Sequence, residues 1–429
     1  MYNFSNFGVE YQTATLKNKS KIHLLKRKGA PIQIQACIQA GSRYNTTPGL
    51  AHFLEHMLVA GTSSYPTKLA LATALEKVGG HFEAVTDADL VRLTVSVSQI
   101  KHVPLMLTIL DEMLTASLYK EEVFKNEQAV VLREQKDRFR NASVMPMDTL
   151  LERVYPDFEL RFQGLGTIKS VSELHVHDIV EFAATNITAE RTSYVVSGDI
   201  EMNDIYSSLS EIKLPEGLGT PIPDLLAPAN GEKVVCKNHD GENSDILIGF
   251  RCDTEKPEDL AGLLLIQQMF MGRGSRLIQE LRYKRGLVYS GGVPFWDFTK
   301  TSVFGFRTSC ATEKLTEVFD ITLNIFKEIY LNGFSESECE NLKIKIDSYY
   351  RFNLQTSKGW IDAEVSALRH NPVGSEAGNA LNMLTYAEQI DAKTLTEIFR
   401  KYLDPRNAYC IIFGSPTKST LEHLNQALL

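Results

Sequence analysis

The sequence predicts an α+β protein: two homologous α/β-roll domains, each an antiparallel sheet flanked by helices, joined by a linker. Three observations predict it. At 429 residues the chain is long for a single hydrophobic core. Strand-like and helix-like segments recur in one order on either side of a Pro/Gly-rich stretch. Near the end, QIDAKTLTEIFRKYLDPRNAYCIIFGSP parallels SELHVHDIVEFAATNITAERTSYVVSGDI of the first half, strand ending in glycine included. The period is far longer than the roughly 20–50 residues of array proteins, so this is a duplication and not a solenoid.

Taken in order, KNKSKIHLLKRK (17–28) alternates basic and apolar residues and reads as a solvated strand. IQIQACIQAG (32–41) is strand-like as well. Thr47-Pro48 then offers an N-cap followed by proline at the first helical position, so the chain is expected to be helical from Gly49. Residues 66–78 make a second helix, ended by Gly79-Gly80. In LVRLTVSVS, Val91, Leu93, Val95 and Val97 alternate with Arg92, Thr94, Ser96 and Ser98, the period of a half-buried strand. Helices near 103–118 and 120–140 follow, then a helix over SELHVHDIVEFA and a strand over TSYVVSGDI. The stretch KLPEGLGTPIPDLLAPANGEK breaks the pattern. It divides the chain into an N-terminal domain (1–213), a linker (214–232) and a C-terminal domain (233–429). In the last of these ILIGFRCDT, EDLAGLLLIQQMF, TSVFGFRTSC and two long helices repeat the order.

Composition excludes several classes. The chain is 43% hydrophobic and 23% charged, as ordinary globular proteins are. Its net charge is −8 and its basic residues are scattered, so no nucleic-acid partner is expected. No apolar run approaches the roughly 20 residues that span a bilayer, so no membrane partner is expected either. MYNFSNFGVEYQ has neither the basic nor the apolar region of a secretory signal. The six cysteines form no C-x-x-C pair, which argues against a thiolate zinc site and against a disulfide framework. Reduced thiols and a cytoplasmic setting are the expectation.

The halves differ where chemistry could sit. GLAHFLEHML (49–58) sets His52, Glu55 and His56 inside an apolar run, and the matching second-half helix has no histidine. Residues i and i+4 of a helix lie about 6 Å apart along the axis and on one face, so His52 and His56 can aim at one cation. Glu55 borders the same face without coordinating, as a base for an attacking water should. The pattern H-x-x-E-H is the reverse of the commoner H-E-x-x-H; by itself it also fits a helix with one exposed polar edge. A third protein ligand should come from another helix. In KEEVFKNEQAVVLREQKDRF, Val123, Glu127, Val130, Val131, Glu134 and Arg138 fall on one stripe, with the valines expected to point inward. Laid without a gap on the second half, this helix puts Leu342 against Glu127 and Tyr349 against Glu134.

H-x-x-E-H followed about 75 residues on by glutamates seven apart resembles the pitrilysin/insulinase family of zinc metallopeptidases, the inverzincins. The likeness is to its two-domain members, such as mitochondrial processing peptidase and bacterial relatives. It covers nearly the whole chain: the lead-in GSRYNTTPGLAHFLEHM, the linker, and LRYKRGLVYSGG with its arginine and tyrosine seven apart. The resemblance implies a zinc endopeptidase with one Zn2+ per chain, held by His52, His56 and Glu134. Glu55 would be the general base and Glu127 a carboxylate orienting a ligand. Arg282 and Tyr289 would hold substrate and stabilise the tetrahedral intermediate. The substrate would be an unstructured or precursor peptide, cleaved in a chamber between domains. Where the family follows Gly-Gly with an Asn-Ala-x-Thr strand that pairs with the substrate backbone, this chain has GGHFEAVTDADL. Glu83 stands at the asparagine position, and Ala84 and Thr86 are kept. Backbone pairing survives that change; Glu83 either favours basic substrate residues or faces solvent. His81 reads as a strand-face residue. A two-domain chain of this kind implies a homodimer, or a heterodimer with a related subunit. The competing expectation is a non-catalytic or partner-dependent subunit, a class that typically loses the zinc motif or the Arg–Tyr pair.

Overall fold

The computed structural model describes residues 2–141, 144–155, 158–161, 164–228, 231–239, 241–254, 256–370 and 379–428. The first sheet holds β1 (Glu10–Thr15), β2 (Lys21–Lys26), β3 (Ile32–Ile38), β4 (His81–Thr86), β5 (Val91–Val97) and β6 (Thr192–Gly198). Their order across it is β1-β2-β6-β3-β5-β4. The second holds β7 (Val234–Lys237), β8 (Asn243–Cys252), β9 (Val288–Gly292), β10 (Phe295–Phe298), β11 (Thr301–Ala311) and β12 (Tyr409–Phe413). Here the order is β10-β11-β8-β12-β7, with β9 also on β11. Read from one side, β2-β6-β3-β5-β4 and β7-β12-β8-β11-β10 are the same path. Each sheet is antiparallel but for one pair at the same place on that path, β2 with β6 and β7 with β12. The duplication read from the chain is a duplication of topology.

Strand β2 departs from expectation. Ile22 to Leu25 are buried, and the strand lies between β1 and β6 rather than in solvent. Both of its faces are covered: Ile22 and Leu24 join the core under the first sheet, and Leu25 joins the core shared with the second half. The lysines at its two ends stay partly exposed, which is why the segment looked amphipathic.

Five helices of the first half matter here: α1 (Leu50–Ala60), α2 (Lys68–Glu76), α3 (Val103–Thr115), α4 (Glu121–Arg140) and α5 (Met145–Val154). The first three lie against β4 and β5, and α4 lies over α1. SELHVHDIVEFA is split, a short helix Ile168–Glu173 giving way at Leu174 to a helix Val176–Asn186. Helix α5 crosses to the other half and packs on β8 and β12, with Leu150, Leu151 and Val154 clustered against Leu247, Val303 and Ile411. Gly249 of β8 makes room for it, since a Cβ there would collide with the Leu150 side chain. In return the helix Ser357–Arg369 packs on β2, β3 and β6, placing Trp360 and Val365 beside Leu25 and Val195. Each sheet is thus completed by a helix from the other half.

Polar contacts follow the same seam. Arg43 Nη1 donates to the Thr299 carbonyl (2.7 Å), and the Thr299 amide donates to Asp89 Oδ2 (3.0 Å). Arg369 Nη2 donates to Asp87 Oδ2 (2.7 Å), and Tyr11 donates to the fully buried Glu364 (2.7 Å). Of the expected linker, residues 229 and 230 lie outside the described residues. Its start is tied to the first half by Arg191 Nη1, which donates to the carbonyls of Leu218 and Thr220. All six cysteines are free. Among the described residues no helix is long and apolar enough to cross a membrane.

Candidate active site

Helix α1 is buried on most of its surface, with Leu50, Phe53, Leu54, Met57 and Leu58 in the first core. Thr47-Pro48 does not cap it. The N-cap is Gly49 at φ +90, a backbone that favours glycine. A Cβ at Gly49 would stand 2.9 Å from the Leu165 carbonyl, so the loop presses directly on the start of the helix. Asn45 supplies the missing cap, its Oδ1 accepting from the Ala51 amide at 2.8 Å. Asn45 lies outside the helix, and its role could not be read from the order of residues.

The polar edge of α1 meets α4. His52 Nε2 and His56 Nε2 lie 3.6 and 3.5 Å from Glu134 Oε2, and one ligand atom from each residue lies within 4.8 Å of the others. Tetrahedral zinc at bond lengths of about 2.0–2.1 Å separates its ligand atoms by about 3.3 Å. The three side chains therefore fit one zinc ion with small adjustments, two imidazole nitrogens and one carboxylate oxygen being a donor set zinc favours. His56 Nδ1 is 2.9 Å from Glu127 Oε2. A carboxylate only accepts, so Nδ1 carries the proton and the Nε2 of a neutral ring turns its lone pair toward Glu134. A cation between them, either a proton on Nε2 or a metal ion, satisfies both groups.

Electrostatics support the same set. Burial, then the charges of His56 and Arg138, push His52 down to about 3, so it is neutral and able to ligate at pH 7. Burial also acts to lower His56, but the bond to Glu127 and the charges of Glu134 and Glu55 outweigh it and raise the group. Carboxylates that favour a proton there would favour a divalent cation in its place. The bond to His56 holds Glu127 below its ordinary range. Burial raises Glu55, opposed by the Thr86 side chain. The α4 stripe holds only in part: Val131 is fully buried, whereas Val130 is an exposed residue. Glu134, on the same open side of α4, is exposed as well.

Strand β4 runs beside α1 and is the outermost strand of its sheet. Phe82 and Ala84 pack against the first core, while His81 and Glu83 are exposed. Alternation along the strand puts Ala84 and Thr86 on the face toward α1, and Glu83 on the opposite face.

Arg282 and Tyr289 sit elsewhere. Arg282 is on a one-turn π-helix, Gln279–Tyr283, and Tyr289 is on β9. The Arg282 guanidinium lies 4.8 Å from the Tyr289 ring centroid, and Tyr289 is 81% exposed. Among the described residues neither bonds to the His52–Glu134 group. The structure brings the two together and leaves them apart from the rest of the expected site.

The second half holds the counterpart of the histidine cluster. With HFLEHML laid on LLIQQMF, Leu264, Gln267 and Gln268 of the helix Pro257–Phe270 stand for His52, Glu55 and His56. These three line a cavity of ≈ 290 Å³ with Ile346 and Tyr349. The position is kept and the donors are gone. A further surface group, His175, His177 and Asp178, also gathers candidate ligand atoms. It lies in the capped first turn of the helix Val176–Asn186, where Asp178 accepts from the amide of His175, the N-cap, at 2.7 Å.

Residues 26–161 match the family model described as insulinase (peptidase family M16), and residues 174–346 the model described as peptidase M16 inactive domain. An uncharacterized zinc protease of Rickettsia felis is 27% identical over 400 residues, 91% of this chain and 92% of that one. An uncharacterized zinc protease of Bacillus subtilis is 24% identical over 332 residues, 76% of this chain and 80% of its own length. Among solved structures, a protease from Helicobacter pylori superposes with a TM-score of 0.83 at 17% identity, covering 95% of this chain and 100% of that one. A peptidase M16 inactive domain from Pseudomonas fluorescens gives 0.80 at 18%, covering 95% and 98%. These two show the fold.

Proposed function

Because the chain belongs to the insulinase family of peptidases, M16, we propose that it is a zinc-dependent endopeptidase acting on unstructured peptides or a precursor peptide. The observation that carries this reading is the convergence of His52, His56 and Glu134, with Glu127 behind His56 and Glu55 on the same helix edge. His52 Nε2, His56 Nε2 and Glu134 would hold one zinc ion. Bound there, zinc supplies Lewis acidity, polarising a scissile carbonyl and favouring ionisation of water near neutral pH.

The chain's own groups do the rest. Glu55 accepts the proton of the attacking water and passes it to the leaving amine. Glu127 keeps the proton of His56 on Nδ1, so Nε2 stays available to the metal. Ala84 and Thr86 offer backbone to the peptide as an added strand. Arg282 and Tyr289 donate to the developing oxyanion, and donors already in place need no reorganisation.

Arg282 is partly exposed, Tyr289 is exposed, and among the described residues neither contacts the histidine cluster of its own chain, which supports assembly of the complete site between two copies, zinc half against Arg–Tyr half. On this reading the chain works as a homodimer enclosing a peptide-sized chamber, or as a heterodimer in which a related subunit supplies the same surface. A subunit without activity of its own is the rival reading. Bound zinc and cleavage of mixed unstructured peptides, measured for wild type and Glu55→Gln together, decide between them. Zinc in both with cleavage only by wild type is expected. Zinc in both with cleavage by neither would favour the partner-dependent subunit.

A further inference from the structure

The free edge of β4 carries a feature that bears on substrate choice. The turn into β5 sets which groups point outward: the Asp87 amide donates to the Leu90 carbonyl at 2.9 Å. The register continues as Thr86↔Val91, Val85↔Arg92, Ala84↔Leu93, Glu83↔Thr94. Hydrogen-bonded and non-hydrogen-bonded pairs alternate along an antiparallel ladder. Counting from Asp87, residues 85, 83 and 81 bond inward to β5. Phe82, Ala84 and Thr86 therefore turn their N–H and C=O groups to the open edge, where nothing among the described residues pairs with them.

A peptide added antiparallel at that edge bonds to Ala84 and Thr86 and meets Glu83 in a non-hydrogen-bonded pair. In such pairs the Cα atoms stand about 4.5 Å apart and the side chains are closest. Glu83 is exposed, and no cation among the described residues pairs with it. On the same face, Arg92, opposite Val85, is engaged by Asp87 at 3.4 Å, and His81 is the exposed neighbour two residues away. We propose that Glu83 selects a lysine or arginine at the one substrate position that pairs with it. Peptide residues on either side of that position turn toward α1 and escape the selection, because side chains alternate. This rests on the peptidase reading for turnover, but not for binding.

The test scans lysine, glutamine and glutamate through each position of a cleaved peptide, with wild type, Glu83→Gln, Glu83→Asp and Glu83→Lys. At one position kcat/KM should favour lysine over glutamine about three- to fivefold, as an exposed cross-strand ion pair does. The preference should vanish in Glu83→Gln, persist in part in Glu83→Asp, turn toward glutamate in Glu83→Lys and shrink with added salt. The same ratio is read without turnover as peptide affinity, by fluorescence anisotropy on Glu55→Gln and on the double variant Glu55→Gln/Glu83→Gln. A preference that survives Glu83→Gln, or none in wild type by either readout, overturns the proposal and leaves the peptidase reading intact. A binding preference that depends on Glu83 in a protein that cleaves nothing would do the reverse.

Discussion

His56 Nδ1 lies 2.9 Å from Glu127 Oε2, while Nε2 of the same ring lies 3.5 Å from Glu134. One imidazole thus touches two carboxylates of α4, one turn pair apart, with opposite nitrogens. The first contact is a hydrogen bond; the second has the spacing of two ligands sharing an ion. Glu127→Ala should therefore weaken zinc binding about 10- to 100-fold by freeing the His56 tautomer. Competition with a chromophoric chelator measures it, and unaltered affinity would remove Glu127 from this role.

Glu55→Gln should keep zinc and lose hydrolysis by at least about 10²-fold, since the amide has no basic oxygen to take the proton. Metal content and turnover on one preparation check both halves of the statement.

Tyr289→Phe should lower turnover on the order of 10²-fold with zinc retained, the scale of losing one oxyanion donor. Mixing unfolded and refolded Glu55→Gln and Tyr289→Phe chains should restore roughly a quarter of wild-type sites if each site spans two copies of a twofold dimer. Sites built within one chain would recover nothing.

Leu150 is fully buried against the second sheet although it belongs to the first half. Leu150→Ala should destabilise the chain by about 2–5 kcal/mol and lower its thermal midpoint, because a core leucine leaves a cavity behind. A midpoint equal to wild type would mean that α5 does not bind the halves together.

Burial pushes the Cys37 thiol up to about 12 and the Cys310 thiol up to about 11. Only a thiolate reacts readily, so at pH 8 these groups should be inert to a disulfide reagent in the folded protein. Cys236, the half-buried one, should react first, and all six should titrate after denaturation.

The chain by itself determined whatever depends on neighbours in sequence. The i, i+4 spacing of His52 and His56 on one helix face, the seven-residue spacing of Glu127 and Glu134, and the alternation in β5 are periodicities of local backbone geometry. The topological repeat was legible for the same reason, since each half carries its elements in the same order.

What the order of residues did not disclose is non-local. Strand β2 looked solvated because the helix that buries Leu25 lies more than 300 residues away. The start of α1 was legible, but its cap was not: Asn45, and not Thr47, accepts from the helix's first turn, a contact with no sequence spacing to announce it. Only the tertiary structure decided that α5 and Ser357–Arg369 exchange sheets, and that Glu83 stands on an open edge with its backbone turned inward. It also decided that Arg282 and Tyr289, seven residues apart and in contact with each other, lie away from the histidines. Local periodicity says which face a side chain occupies; chain packing at long range alone says what that face meets.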